Sequence, residues 1–131
     1  MKLITRDTDY AIRALGYIAG RKEKIITVSE LVRVLKMPRP FLRKILQILH
    51  KNGILNSYRG LGGGFSLKKT PKEILIIDLI KIFQGPLSIN ECVFRKKICP
   101  NRKTCLLSKK INQIEKSVYT QFKGMSIADL A

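Results

Sequence analysis

Three cysteines stand within fourteen residues of this 131-residue chain, at Cys92, Cys99 and Cys105, in a C-x6-C-x5-C spacing. The chain has no other cysteine. Zinc fingers and ribbons use close pairs such as C-x2-C, and ferredoxin runs use tight spacings with a fourth Cys, so neither pattern fits. Three thiolates around a soft metal leave one position for a further ligand. His50 is the one histidine, and it falls on the exposed side of a helix far from the cysteines. The carboxylates Asp7, Asp9 and Glu91, or an exogenous ligand, are therefore the candidates. Arg95, Lys96, Lys97, Arg102 and Lys103 lie between the cysteines. Such cations lower thiol pKa values and offset the negative charge of a thiolate-bound centre. The plainer alternative is three thiols on a loop without metal. The odd count argues against a disulfide framework.

The second chemical signal is charge. Lys and Arg number 26 against nine Asp and Glu, a net +17. Small soluble domains usually carry a net charge of about 2–8 in magnitude, so a polyanionic partner is expected. From Leu31 to Lys72 no acidic residue occurs, while ten basic ones do. A second acid-free window, Cys92 to Ile114, overlaps the cysteines. Full barrel enzymes need about 250 residues and are excluded by length. No Ser–His–Asp set or carboxylate pair can be assembled, so an enzyme is not expected. No apolar run reaches the roughly 18 residues of a membrane span, and residues 1–9 lack a signal-peptide core. A cytoplasmic protein without membrane association is the expectation.

The elements that would position these residues follow from periodicity and caps. A first helix is expected from an N-cap at Thr8, burying Ala11, Ala14, Leu15, Ile18 and Ala19 and ending at Gly20. Ile25-Ile26 is a short β-like run. Thr27-Val28-Ser29-Glu30 has the form of a reciprocal capping box opening a helix through Leu31, Val34 and Leu35. Met37-Pro38-Arg39 breaks it, and Pro40 suits the first position of a new helix burying Leu42, Ile45, Leu46 and Leu49. Asn52-Gly53 closes that helix. Ile54–Tyr58 and Phe65–Leu67 around a Gly-rich tip read as a hairpin. Thr70-Pro71-Lys72-Glu73 predicts a capped helix that Gly85-Pro86 stops. Leu107, Ile111, Ile114, Val118 and Phe122 form a coiled-coil-like seam on a last helix, Leu106 to Lys123, suited to self-pairing.

The fold class is thus mainly α with a small β-wing: a winged helix–turn–helix domain (1–84), a cysteine loop (85–105), and a long dimerisation helix with a tail (106–131). The second helix of the pair would enter the major groove. No Gly-Lys-Ser/Thr follows the glycines, so a phosphate-binding P-loop is not indicated.

Thr8-Asp9-Tyr10-Ala11-Ile12-Arg13-Ala14-Leu15, the wing Arg59-Gly-Leu-Gly-Gly-Gly-Phe65-Ser-Leu67, and a three-Cys loop before a long helix resemble the Rrf-two family of bacterial winged-helix regulators, the group of IscR, NsrR and RirA. The resemblance covers nearly the whole chain, including Ser126-Ile127-Ala128-Asp129-Leu130. It implies a homodimeric transcription regulator, usually a repressor, that binds a double-stranded DNA operator. It also implies an iron–sulfur cluster (2Fe–2S or 4Fe–4S) that senses nitric oxide, redox state or iron. Carried over, Cys92, Cys99 and Cys105 match the cluster ligands, and Asp9 matches the carboxylate contributed by the partner subunit in the NsrR branch. The first cysteine spacing is one residue longer than in IscR and NsrR. Leu106, Leu107 and Ser108 follow Cys105, so the histidine ligand of the IscR branch has no counterpart here. The DNA-facing set is Ser29, Arg39, Pro40, Arg43, Lys44 and Gln47 from the helix pair, and Arg59, Gly60, Gly62 and Gly63 from the wing. The readings that compete on the same scaffold are a metal-free thiol redox switch and a zinc-binding regulator. A non-specific RNA-binding protein is the more distant rival.

Overall fold

The computed structural model describes residues 3–21, 24–86 and 106–130. The three cysteines, and the loop assigned to 85–105 apart from its first two residues, lie outside the described residues. Helix α1 spans Arg6–Ala19, α2 Val28–Leu35 and α3 Arg39–Lys51. Strands β1 (Leu55–Tyr58) and β2 (Gly64–Leu67) follow, then α4 (Ile76–Gln84), α5 (Leu106–Lys123) and α6 (Ile127–Leu130).

The core is the one the apolar spacing predicts. Ala11, Ala14, Leu15, Ile18 and Ala19 of α1 meet Leu42, Ile45, Leu46 and Leu49 of α3 and the buried side of α4. Each recurs every three or four residues, so one stripe of each helix faces inward. The wing is antiparallel, pairing Leu55 with Leu67 and Tyr58 with Gly64. Ile26 adds a bridge to Phe65, with both backbone bonds at 2.8 Å, so the short β-like run becomes a third rung. Gly64 is required there, because a Cβ would strike the Ile26 carbonyl oxygen.

Several local expectations need correction. The cap of α1 is Thr5, not Thr8. Thr8 instead sits fully buried within the helix, where its hydroxyl donates to Gln84 Oε1 at 2.8 Å. The same oxygen accepts from the Thr5 backbone N–H at 3.0 Å, and Gln84 Nε2 donates to the Leu3 carbonyl at 3.1 Å. Two ends of the chain's first unit are thereby joined through one amide. The second cap is only half reciprocal. Glu30 N–H donates to Thr27 Oγ1 at 3.0 Å, but the Glu30 carboxylate turns away to accept from Tyr17 Oη–H at 2.7 Å. A tertiary phenol outcompetes the local amide. Val34 is exposed, so α2 buries Leu31 alone. Pro40 occupies the second position of α3, because Arg39 already has helical geometry. Thr70 caps no long helix. Residues Pro71–Glu73 form one 3-10 turn, Ile74 reverts to extended backbone, and α4 begins only at Ile76.

Helix α5 has the expected bounds, but none of its residues is buried. Phe122 packs against the core, whereas Leu107 and Ile114 of the seam are exposed. The chain then returns to α1. Ile127 is fully buried, Leu75 bridges Ser126, and Ile76 N–H donates to the Met125 carbonyl at 3.1 Å. Ser126 is capped by Asp129, whose carboxylate accepts its N–H at 2.8 Å. No described helix is long and apolar enough to cross a membrane.

Candidate nucleic-acid interface

Helix α3 carries its chemistry on one stripe. Arg43, Gln47, His50 and Lys51 are spaced by four, three and one, which keeps them on the side opposite Leu42, Ile45 and Leu49. The wing stands beside this stripe. Between them lies an open groove of about 710 Å³, lined on one side by α3 and on the other by Ser57–Gly60 and Gly63–Phe65. His50 fixes the distance between the two walls, its Nδ1 lying 3.1 Å from the Leu55 carbonyl. A carbonyl only accepts, so this contact places the proton on Nδ1.

Six of the ten residues expected to face DNA meet in this groove: Ser29, Arg43, Gln47, Arg59, Gly60 and Gly63. Arg39 is tied to them, since its Nη2 donates to Ser29 Oγ at 3.1 Å across the turn between α2 and α3. Pro40, Lys44 and Gly62 lie outside the lining. Pro40 and Lys44 are exposed on α3, and Gly62 is exposed at the wing tip with a φ of 76°. His50 and Lys51, which the sequence placed on the exposed side of α3 with Arg43 and Gln47, also line the groove. Ser57 and Tyr58 of the wing line it too and were not assigned to DNA from the sequence.

The electrostatics are one-sided. None of Arg39, Arg43, Lys44, Lys51 and Arg59 is ion-paired with a carboxylate among the described residues. The α3 N-terminus adds to this, because Pro38 provides no side-chain cap and the Arg39 and Phe41 N–H groups stay open, Pro40 having none. Open N–H groups at a helix start favour phosphate oxygens. Groove, cations and helix end form a surface suited to a polyanion with a groove of its own.

Asp9 stands apart, in the first turn of α1. Its carboxylate accepts from Arg13 Nε at 3.0 Å and is nearly half exposed. No group of three or more His, Cys, Asp or Glu able to hold a metal occurs among the described residues.

The Rrf2 (Rrf-two) family model, described as an iron-dependent transcriptional regulator, matches residues 4–131. A protein of Aquifex aeolicus, whose name describes an HTH-type transcriptional regulator, is 35% identical over 123 residues, covering 92% of this chain and 85% of that one. Among solved structures, CymR, titled the global cysteine regulator of B. subtilis, superimposes with a TM-score of 0.80 at 22% identity, over 100% of this chain and 97% of CymR. IscR of T. potens gives 0.75 at 21% identity, over 99% and 85%.

Proposed function

We propose how this chain, which belongs to the Rrf2 family of DNA-binding transcriptional regulators, reads and controls its operator. The groove between α3 and the wing carries the reading, because it gathers six residues suited to DNA with no carboxylate among them. In the assignment we favour, Arg43 and Gln47 face base edges in the major groove. Arg59 enters the adjacent minor groove, where narrow width focuses negative potential. Arg39, Lys44 and the α3 N-terminus take phosphates, with Gly60, Gly62 and Gly63 letting the wing backbone approach closely.

The chain acts as a homodimeric repressor in this reading. The exposed Leu107 and Ile114 on α5 support pairing with a second copy, which would set two grooves on one duplex. Control is assigned to Cys92, Cys99 and Cys105, with the partner subunit's Asp9 as fourth ligand. Three thiolates and a carboxylate suit a 2Fe–2S or 4Fe–4S cluster, and the half-exposed Asp9 is placed to be reached from outside its own chain. Such a cluster supplies a centre that nitric oxide, oxidants or iron shortage remove. Arg13 must then release Asp9, so ligation competes with an exposed ion pair of modest strength. Docking of residues 92–105 against the partner subunit's first helix would fix the angle between the two reading units and thus the half-site spacing they match.

The test is anaerobic purification with iron, sulfide and zinc counted per chain, a visible spectrum, and operator affinity with and without the cluster at fixed salt. Iron with matching sulfide, a spectrum altered by Asp9→Asn, and unequal affinities are expected. A colourless protein after reconstitution overturns the cluster and leaves a thiol switch or zinc centre. Equal affinities overturn the control mechanism.

A further inference from the structure

We propose that the outer face of the wing is a second phosphate-binding surface, which takes the backbone strand beyond the minor groove and lengthens the DNA footprint outward from each half-site. The proposal rests on the DNA-binding reading above and adds a contact that α3 and the wing tip do not make.

The hairpin has two sides. One side walls the α3 groove. The other walls a separate concave surface of about 640 Å³, between the end of α1 and the chain leaving β2. Arg21, Lys24, Lys68 and Lys69 line it, and no carboxylate does among the described residues. All four are exposed, and none is ion-paired among the described residues. Arg21 is held in place by its guanidinium carbon lying 5.0 Å from the Tyr17 ring centroid. Lys22 and Glu23, which separate Arg21 from Lys24 in the sequence, carry no net charge between them. Tyr58 lines both concave surfaces, so the outer one lies next to the α3 groove, across the strand from it.

This placement on the two sides of one hairpin selects duplex DNA over other polyanions. A minor groove is roughly 6 Å wide and is bounded by two sugar–phosphate strands. A hairpin lodged at it has one strand on each side. The inner phosphate-facing cations, Arg39 and Lys44, meet the strand shared with the major groove, while Arg59 enters the minor groove between the two strands. The outer cations meet the other strand, further from the dimer centre. A wing that touched DNA only at its tip would have no use for four clustered cations on its far side, which repel one another when no anion lies between them.

The experiment uses the full chain and a duplex selected by it from a random-sequence library. The duplex is prepared at 40 base pairs and trimmed to the selected half-sites. Affinity is measured against salt for the natural protein, for Lys68→Gln with Lys69→Gln, and for Arg21→Gln with Lys24→Gln. These side chains are exposed, and circular dichroism verifies each fold. On the long duplex the salt dependence of the variants should flatten by about 0.9 for each phosphate that is no longer neutralised. On the trimmed duplex, variants and natural protein should bind alike. Unchanged slopes on the long duplex, or equal losses at both lengths, overturn the proposal. If no sequence is selected, the operator reading fails. The same titration on a random 40-base-pair duplex then still decides the outer face: a flattened slope supports it and an unchanged slope refutes it.

Discussion

Gln84 joins the last turn of α4 to the start of α1, and its removal tests whether that junction carries stability. In Gln84→Leu, the Thr5 N–H and the Thr8 hydroxyl lose their acceptor and the Leu3 carbonyl loses its donor. Thr8 is fully buried, but its hydroxyl lies 3.1 Å from Thr5 Oγ1, which remains a partner. Leu3 is exposed and recovers a bond from water. An unpaired buried polar group costs about 1–3 kcal/mol, and this partial rescue brings the whole change to about 2 kcal/mol. Thr8→Val keeps the shape and removes one donor, for about 1 kcal/mol. Urea unfolding at fixed protein concentration is the assay. With a slope of about 1.5 kcal/mol per molar, the midpoint should fall by roughly 1.3 M for Gln84→Leu and about half that for Thr8→Val. The double variant should lose less than the two single losses together, because both act on one bond. Midpoints unchanged within about 0.2 M, or strict additivity, would refute the reasoning.

Two further outcomes follow from the groove and the wing. Arg43→Ala should weaken operator binding by about 1–3 kcal/mol and relax preference at one base position, whereas Lys44→Ala should weaken all duplexes alike and flatten the salt slope by about one. A uniform loss for Arg43→Ala, read by competition among operator variants, would remove it from the base readers. Gly64→Ala should destabilise by about 2–3 kcal/mol, since its Cβ meets the Ile26 carbonyl oxygen and must break the paired bonds to Phe65. A thermal midpoint within a degree of the natural protein would contradict that steric clash.

The periodic signals transferred well from sequence to structure. The stripe of α1, the four buried residues of α3, the hairpin and both ends of α5 came from spacing and from Gly and Pro placement, which act within a few residues. The errors lie where a distant group decided a local choice. Thr8 looked like a cap because Asp9 follows it, yet Gln84, far along the chain, supplies the buried partner that draws Thr8 into the helix. Glu30 answers Tyr17 instead of its own cap. Thr70 begins a single turn because Ile74 and Ile76 are needed as partners for the returning chain, Ile74 accepting from Ile127 N–H at 2.9 Å. That return does carry a local sign of its own, the Ser126-x-x-Asp129 capping pattern. Within the site, the cations were legible as an acid-free run. Which of them share a groove depended on where the wing stands.

The bridge between Leu75 and Ser126 has a consequence for the order in which the molecule assembles. It closes a loop of roughly fifty residues, which holds α4, the cysteines and α5, at an entropic cost of about 3–4 kcal/mol. The side chain that completes the core against α1 is Ile127, on the far side of that closure. As the chain leaves the ribosome, the core built on α1 and α3 is therefore made first and finished last. It waits for a segment that comes after α5. Contacts so distant in sequence slow folding. The core against α1 thus stays incomplete until α5 and the segment after it have been synthesised.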